Sequence, residues 1–412
     1  MLKPHHRQYL AAYFLDFALI TAFTAMPFFI FDQLGGGAAM SGSIAAFESV
    51  CYAAVCLGST RFLGKVKNGL NWARVGAAGF GLVFPLAMFC RDPFSFAVVA
   101  LAGLTFRALF WPSMQAWIGA EPNPALRTRR IAHYNVAWTL GLATGPLAAG
   151  PLYDLDYRLP FIAVFVAAGL AFVMVLTLPD ERRYYGAAPV TPENPYQAKQ
   201  DRASELYLYS AWFANMVGWS MVGVMRSVFP KRVDDLVEAG ELVLFTGGLD
   251  VQGLPFQAAT QFSWVAFVLY LSRAGISLGM GWTTRWHHQF WLVAVSQLAA
   301  GVAFWGLGMT QSLAVMMVCC AIVGVNGGVC FFASMYYSVA NPLRKHRRAA
   351  VHESMVGIGG LLGGMSFGLL AERYGAAWPF LYTPVIVIVF VTLQAAMLRY
   401  QRRRAAVEDA AG

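Results

Sequence analysis

RRIAHYNVAWTLGLATGPLAAGPL at 129–152 and RRAAVHESMVGIGGLLGGMSFGLL at 347–370 read as two copies of one segment. At a constant offset of 218, Arg129 and Arg130 match Arg347 and Arg348, and Gly141, Gly145 and Gly150 match Gly359, Gly363 and Gly368. One residue of slippage later, Pro160-Phe161 matches Pro379-Phe380, and upstream Ser113-Met114 matches Ser334-Met335 at an offset of 221. Chance coincidence of glycines would not also align a basic pair and a Pro-Phe dipeptide. Glycines at these spacings clear one helix face, so neighbouring helices can approach closely.

The rest of the chain supplies the helices that such faces pack against. Of 412 residues, 58% are hydrophobic and only 12% charged, with a mean hydropathy of +0.54. Soluble domains carry about 25% charged residues, so a soluble enzyme and a disordered chain are both excluded. A membrane helix needs about 20 apolar residues. Such stretches fall near 10–31, 38–60, 73–90, 94–118, 132–153 and 159–178, and again near 206–229, 257–278, 289–309, 312–340, 351–371 and 376–398. The opening MLKPHHRQY leads into an apolar run too long for a signal peptide, so it is kept as the first span. The fold expected is an all-α integral membrane protein of twelve transmembrane helices in two pseudo-symmetric six-helix bundles. The bundles would occupy 1–178 and 206–412, joined by the Pro- and charge-rich stretch 179–205.

Basic residues orient these spans. With the N-terminus inside, 23 of the 30 Lys and Arg fall in inside segments, Arg273 and Arg285 among them, and five fall outside. Arg107 and Arg226 lie within spans. This asymmetry follows the positive-inside rule and puts both termini in the cytoplasm. The formal charge of +9 therefore reports topology and contact with lipid head groups, not nucleic acid. No N-x-Ser/Thr sequon occurs, which leans towards a bacterial inner membrane. The outside stretch 230–256 is acidic, and its VDDLVEAGELVLF segment suggests a short amphipathic helix or a solvated loop.

Both repeat copies run the same way across the membrane, so the halves relate by an axis along the membrane normal. Two such halves around a midplane site are the basis of alternating access. Here the chain resembles the major facilitator superfamily over nearly its whole length. GLATGPLAAG, from Gly141 through Gly145 and Pro146 to Gly150, is similar to the span-five motif of its drug/proton antiporter branch, with Ala149 in place of one glycine. Arg107 in LTFRALFWPSM resembles the membrane-embedded arginine of the fourth-helix motif. The loop between spans two and three, GSTRFLGKVKNGLNWARVG, keeps the basic residues and glycines of the family's loop motif and lacks its Asp. The resemblance implies that spans one, four, seven and ten line a cavity. Those spans carry Tyr13 and Phe17, Phe110 and Trp111, Trp212, Asn215 and Trp219, and Asn326, Phe331, Phe332 and Tyr336. Such walls suit an amphipathic or aromatic substrate, while the two asparagines either orient it or bridge helices.

Ionisable residues inside spans are the sharpest functional signal, because each costs about 2.5–3.5 kcal/mol or more at mid-bilayer unless paired. Helical rise places Glu48 and Arg107 near the midplane and Asp16 nearer the inner end of span one. Glu48 lies on the polar stripe Ser41–Ala45–Glu48–Tyr52–Cys56–Ser59. Asp16 and Glu48 are candidate proton carriers, with Arg107 as their modulator or as the holder of an anionic group. The alternative is a structural Glu48–Arg107 pair. Arg226 sits close to the outer end of span seven and is expected to snorkel. Gly145 and Pro146 are expected to make a tight, locally unwound contact between the halves.

His133 and His352-Glu353 occupy nearly repeat-equivalent inner ends, where hydrogen bonding at the helix start or pH sensing are both open. His287-His288 and the six cysteines lack metal-site spacing. No glycine loop followed by Lys-Ser/Thr is present for ATP, so neither cofactor nor metal is expected and enzymatic chemistry is not. The sequence points to a monomeric, proton-coupled exporter of a small amphipathic compound. Uptake of a sugar or organic anion, and a non-transporting sensor or scaffold, are its alternatives.

Overall fold

The computed structural model describes residues 2–63, 69–119, 124–180, 195–242, 258–283, 285–339 and 345–411. The middle of the basic loop after span two (64–68), part of the linker (181–194) and the acidic loop containing Asp250 (243–257) lie outside the described residues. Every regular segment among the described residues is helical.

Twelve spans emerge. Span 1 is Pro4–Asp32, span 2 Ala38–Leu63, and span 3 Leu70–Val83 continued by a tighter 3₁₀ turn, Phe84–Phe89. Span 4 is Pro93–Phe106 and Phe110–Gly119, joined by a 3₁₀ turn at Arg107–Leu109. Spans 5 and 6 are Pro124–Leu155 and Leu159–Leu176. Spans 7, 8, 9 and 10 are Pro195–Ser227, Ala258–Trp282, Phe290–Met309 and Leu313–Val339. Span 11 runs from Lys345–Leu361 through a π-helical turn, Leu362–Ser366, to Phe367–Tyr374, and span 12 is Trp378–Ala411. Nine described helices are long and apolar enough to cross a membrane on composition alone, and Pro93–Leu109 is a shorter apolar one.

Local chemistry sets the ends. Asp92 caps span 4 by accepting a hydrogen bond from the Ser95 backbone N–H at 2.9 Å, and Pro93 follows where its missing N–H costs nothing. Gly375, at φ +99°, ends span 11 in a conformation that side chains resist. Burial then sorts spans between core and lipid. The most apolar window of span 1 is 83% buried, whereas that of span 12 is 22% buried and presents Val385, Ile388 and Val389 outward. Apolar side chains on that rim meet hydrocarbon, and the backbone behind them is paired within its own helix.

The glycines reveal the two-fold relation in contact geometry. A Cβ at Gly141 would collide with the backbone of Tyr13 and Phe17 on span 1, and one at Gly359 with the backbone of Met216 and Ser220 on span 7. Gly145 and Gly363 repeat the pattern one turn on, against Ile20 and Phe17 and against Ser220. Gly150 instead faces the other half, at Ala259 and Ser263 of span 8, as Gly368 faces Ala38 and Gly42 of span 2. Matched residues of spans 1 and 7 are 203 apart in each pair, and those of spans 2 and 8 are 221 apart.

Four expectations change. Gly145 packs within its own half, as Gly141 does, and of the three motif glycines Gly150 is the one that reaches across. Span 5 runs as a continuous helix through Pro146, while the local unwinding sits in its repeat partner, at Leu362–Ser366. Span 7 begins at Pro195, inside the stretch read as linker. Arg273 is buried within span 8, which continues to Trp282, and is not a loop residue. The acidic stretch after span 7 does form a short amphipathic helix, Phe229–Glu238, with Val233 and Leu236 buried beneath it.

Candidate functional site

Charge inside the bundle is gathered at two places. The first centres on Glu48 of span 2, 3% exposed. Its Oε1 accepts from Arg107 of span 4, and its Oε2 lies 3.2 Å from Arg226 of span 7. The 3₁₀ turn at Arg107–Leu109 interrupts the α-helix of span 4 at the arginine. Arg226 does not snorkel to a surface. It lies against the Phe23 ring, with Cζ 3.4 Å from the centroid, and shares the carboxylate with Arg107. Phe23 also carries Arg107 at 5.4 Å, and Tyr52 carries it at 4.6 Å. Tyr52 in turn donates across the seam to Glu353 of span 11 at 3.3 Å.

One carboxylate thus serves two guanidiniums, one from each half. Neither arginine can shed its proton. A cleft beside the group is lined by Phe23, Arg226, Phe262 and Tyr270. Towards the end of the bundle opposite the termini, the halves close on each other by backbone. A Cβ at Gly42 would strike the Gly364 carbonyl and lie 3.1 Å from Gly368 Cα. Asp154 accepts from the Thr260 N–H at 3.0 Å, Glu372 from the Ala39 N–H at 3.2 Å, and Phe28 meets Phe262.

The second place lies nearer the termini, around Arg273 of span 8. Its guanidinium sits over three rings, Trp219 and Phe331 at 5.0 Å and Trp138 at 5.9 Å. Among the described residues no carboxylate comes within ion-pair distance of it. Asp16 of span 1 packs beside Gly141, one turn from Trp138, with its Oδ2 buried and unbonded. His352 accepts or donates at Ser334 Oγ (2.7 Å), stands 3.5 Å from Asn215 Nδ2, and packs edgewise on Phe331.

The predicted cavity residues divide accordingly. Trp219, Phe331 and Asn215 converge on the Arg273 region, whereas Tyr13 and Phe17 pack on each other along span 1 with their backbone against Gly141, and Tyr13 is bonded to Thr144. Phe110 does not face a cavity; it is fully buried against Gly76 of span 3, with Trp111 edge-on to it. Trp212 donates to Ser338 at 2.8 Å. Phe332 and Tyr336 join Trp286 and His287 in a cluster at the terminal end, where His287 bonds Tyr336 at 3.2 Å. Burial lowers the pKa of both His287 and His288. Asn326 bridges helices through Ser296 at 3.2 Å and Met221 at 3.6 Å. His133 is exposed and packs on Tyr9. Sequence reading missed Arg273, Trp138 and the coupling of Arg226 to Glu48. An arginine inside the apolar stretch 257–278, short of its end, was the available signal for the first.

The family model described as Major Facilitator Superfamily matches residues 9–352. The multidrug efflux protein YfmO of Bacillus subtilis (strain 168) is 25% identical over 277 residues, covering 63% of this chain and 59% of that relative's length. Among solved structures, the nucleoside transporter NupG superposes with a TM-score of 0.71 at 12% identity, covering 97% of this chain and 100% of NupG. A bacterial homologue of the human lysosomal transporter Spinster gives 0.70 at 15% identity, covering 98% of both chains. A mutant of the peptide transporter POT, in complex with sulfate, gives 0.74 at 12%, covering 97% of this chain and 95% of that one.

Proposed function

The chain belongs to the Major Facilitator Superfamily, and from that premise we propose that it exports a small amphipathic compound in exchange for protons, by alternating access. It is a multi-pass membrane transporter and not an enzyme. The finer reading adds direction, coupling, a monomeric working unit and a bacterial inner-membrane setting with both termini cytoplasmic. The efflux protein of Bacillus subtilis supports direction.

The observation that carries coupling is the sharing of Glu48 between Arg107 and Arg226. A proton placed on Glu48 removes the charge that holds the two cations together across the seam. Two adjacent guanidiniums in a low-dielectric site repel strongly, and neither can neutralise itself. Arg226 then needs water, which it gains when the far end of the seam opens. Loss of the proton restores the carboxylate and draws the halves together. One proton moving through 100 mV supplies about 2.3 kcal/mol, roughly a fifty-fold gradient, so one such carboxylate suffices without ATP.

Proteoliposomes with a trapped pH dye test this. Glu48→Gln, which mimics the protonated state permanently, should abolish proton-driven flux while leaving substrate exchange partly intact. Full proton-driven transport in that variant would make Glu48 structural, and Asp16 the carboxylate to examine. Arg107→Lys should also fail, since an ammonium does not reproduce the planar fork.

A further inference from the structure

Five polar groups around the middle of the bundle have unused bonding capacity. Arg273, 2% exposed, carries its charge against rings and no carboxylate among the described residues. Asp16 Oδ2, Tyr134 Oη, Asn215 Oδ1 and His352 Nε2 are all buried without a hydrogen-bond partner. Buried polar atoms are nearly always satisfied, and each orphan costs about 1–3 kcal/mol. Several such groups around one spot offer bonding capacity that a ligand with matching donors and acceptors can use.

Their positions tie them to that spot. Tyr134 lies one turn before Trp138 on span 5, and Asn215 one turn before Trp219 on span 7. His352 packs on Phe331, and Asp16 lies beside Gly141, the next position on the Trp138 face. Trp138, Trp219 and Phe331 are the three rings over Arg273. The groups therefore surround a patch of aromatic faces, with contributions from both halves. Arg107, the sequence candidate for an anion, is committed to Glu48.

We propose that Arg273 and its aromatic surround are the substrate site, and that the substrate is a planar aromatic acid carrying a hydrogen-bond-donating amino or hydroxyl group. The guanidinium pairs with the acid in a bidentate fork. The ring slides between Trp138, Trp219 and Phe331, replacing the cation's contact with them by ring-on-ring contact. The donor group reaches Asp16 Oδ2 or Asn215 Oδ1, both acceptors that lack a donor. An apolar amine would leave Arg273 unpaired, and a sugar would waste the ring faces. This inference deepens the transport reading and names its substrate class.

The test is equilibrium binding in nanodiscs, without any gradient, using 4-aminobenzoate, its ethyl ester and benzoate as probes. The wild-type chain should bind 4-aminobenzoate at least about tenfold more tightly than the ester, and benzoate more weakly than 4-aminobenzoate. Arg273→Met should bring the acid-to-ester ratio to about one, and Arg273→Lys should keep part of it. Asp16→Leu combined with Asn215→Leu, which removes both acceptors, should remove the advantage of the amino group while keeping that of the acid. Thermal unfolding midpoints show that each variant is folded, and the lysine variant carries the test if the methionine variant is not. The proposal is overturned if no probe binds, or if Arg273→Met keeps the preference for the acid. Acid-selective binding without proton flux in the liposomes would sink proton coupling and leave this site standing. Proton-driven flux of other compounds without acid selectivity would do the reverse.

Discussion

Glu48 has one negative charge and two claimants. That stoichiometry makes unequal predictions for the three residues. Arg226→Met leaves Glu48 and Arg107 as a balanced pair, so it should cost little stability and loosen the seam. Glu48→Gln strands two guanidiniums, and breaking a buried pair from one side costs about 3–5 kcal/mol. Adding Arg107→Met to Glu48→Gln should recover part of that loss, because one stranded charge is gone. Unfolding midpoints in nanodiscs decide this. Equal damage from Arg226→Met and Glu48→Gln would show that the carboxylate is not shared in the way the distances indicate. Reading along the chain found Glu48 and Arg107, because charged residues in apolar runs stand out and helical rise gave both similar depths. It misplaced Arg226, because depth counted from a helix end says nothing of what lies beside it. Phe23, which receives Arg226 at 3.4 Å, is 203 residues away in sequence. Arg273 was counted with the loop arginines although it falls inside the expected stretch 257–278, because a lone basic residue near the inner end of a span passes for part of the adjoining basic loop.

At the scale of elements, the glycines carry two different duties, and substitution should separate them. Gly145→Leu forces a side chain into Ile20 and the Phe17 carbonyl, within one half. Gly42→Leu and Gly150→Leu place theirs between halves, against Gly364 and Gly368 or against Ala259 and Ser263. Overpacking of this kind costs typically about 1–3 kcal/mol. The first variant should lower the unfolding midpoint. The other two should leave it nearly unchanged and instead hold the far end of the seam apart, shown by labelling of a cysteine placed at Thr24, which lines the cleft between the halves. Loss of stability without a change in labelling would mean that Gly42 and Gly150 pack like any core glycine. Spacing alone identified these faces as bare, since a glycine every fourth or fifth position has no other pattern. It did not say which neighbour each face meets, and Gly145 and Gly150 lie on different sides of span 5. The π-helical turn at Leu362–Ser366 was hidden for a related reason. GLLGGMSFG carries no proline, and the prolines that suggested unwinding are in the other copy, where the helix absorbs them.

For the molecule as a whole, duplication was legible over spans 4 to 6 and 10 to 12, while its extension to spans 1 and 7 and to spans 2 and 8, and the division of labour between the copies, were not. Equivalent contacts recur at fixed offsets, yet Phe23 stands where its counterpart is Arg226, and Asp16 where its counterpart is Trp219. Charge and aromatic surface are therefore distributed differently in the two copies, and only three-dimensional neighbours reveal it. The bare seam has a further consequence, in entropy. Gly42, Gly364, Gly368, Gly150 and Ala259 have no rotamers to lose, whereas a seam of leucines or methionines would freeze about 0.5–2 kcal/mol of side-chain freedom per residue at each closure. The halves can therefore meet and part without a large ordering term, and their balance should be nearly athermal. Distances measured by electron-spin labels on spans 2 and 11 should show closed and open populations that shift little between about 5 and about 40 °C. A steep drift towards the open form on warming would mean that closure orders side chains which the glycines do not account for.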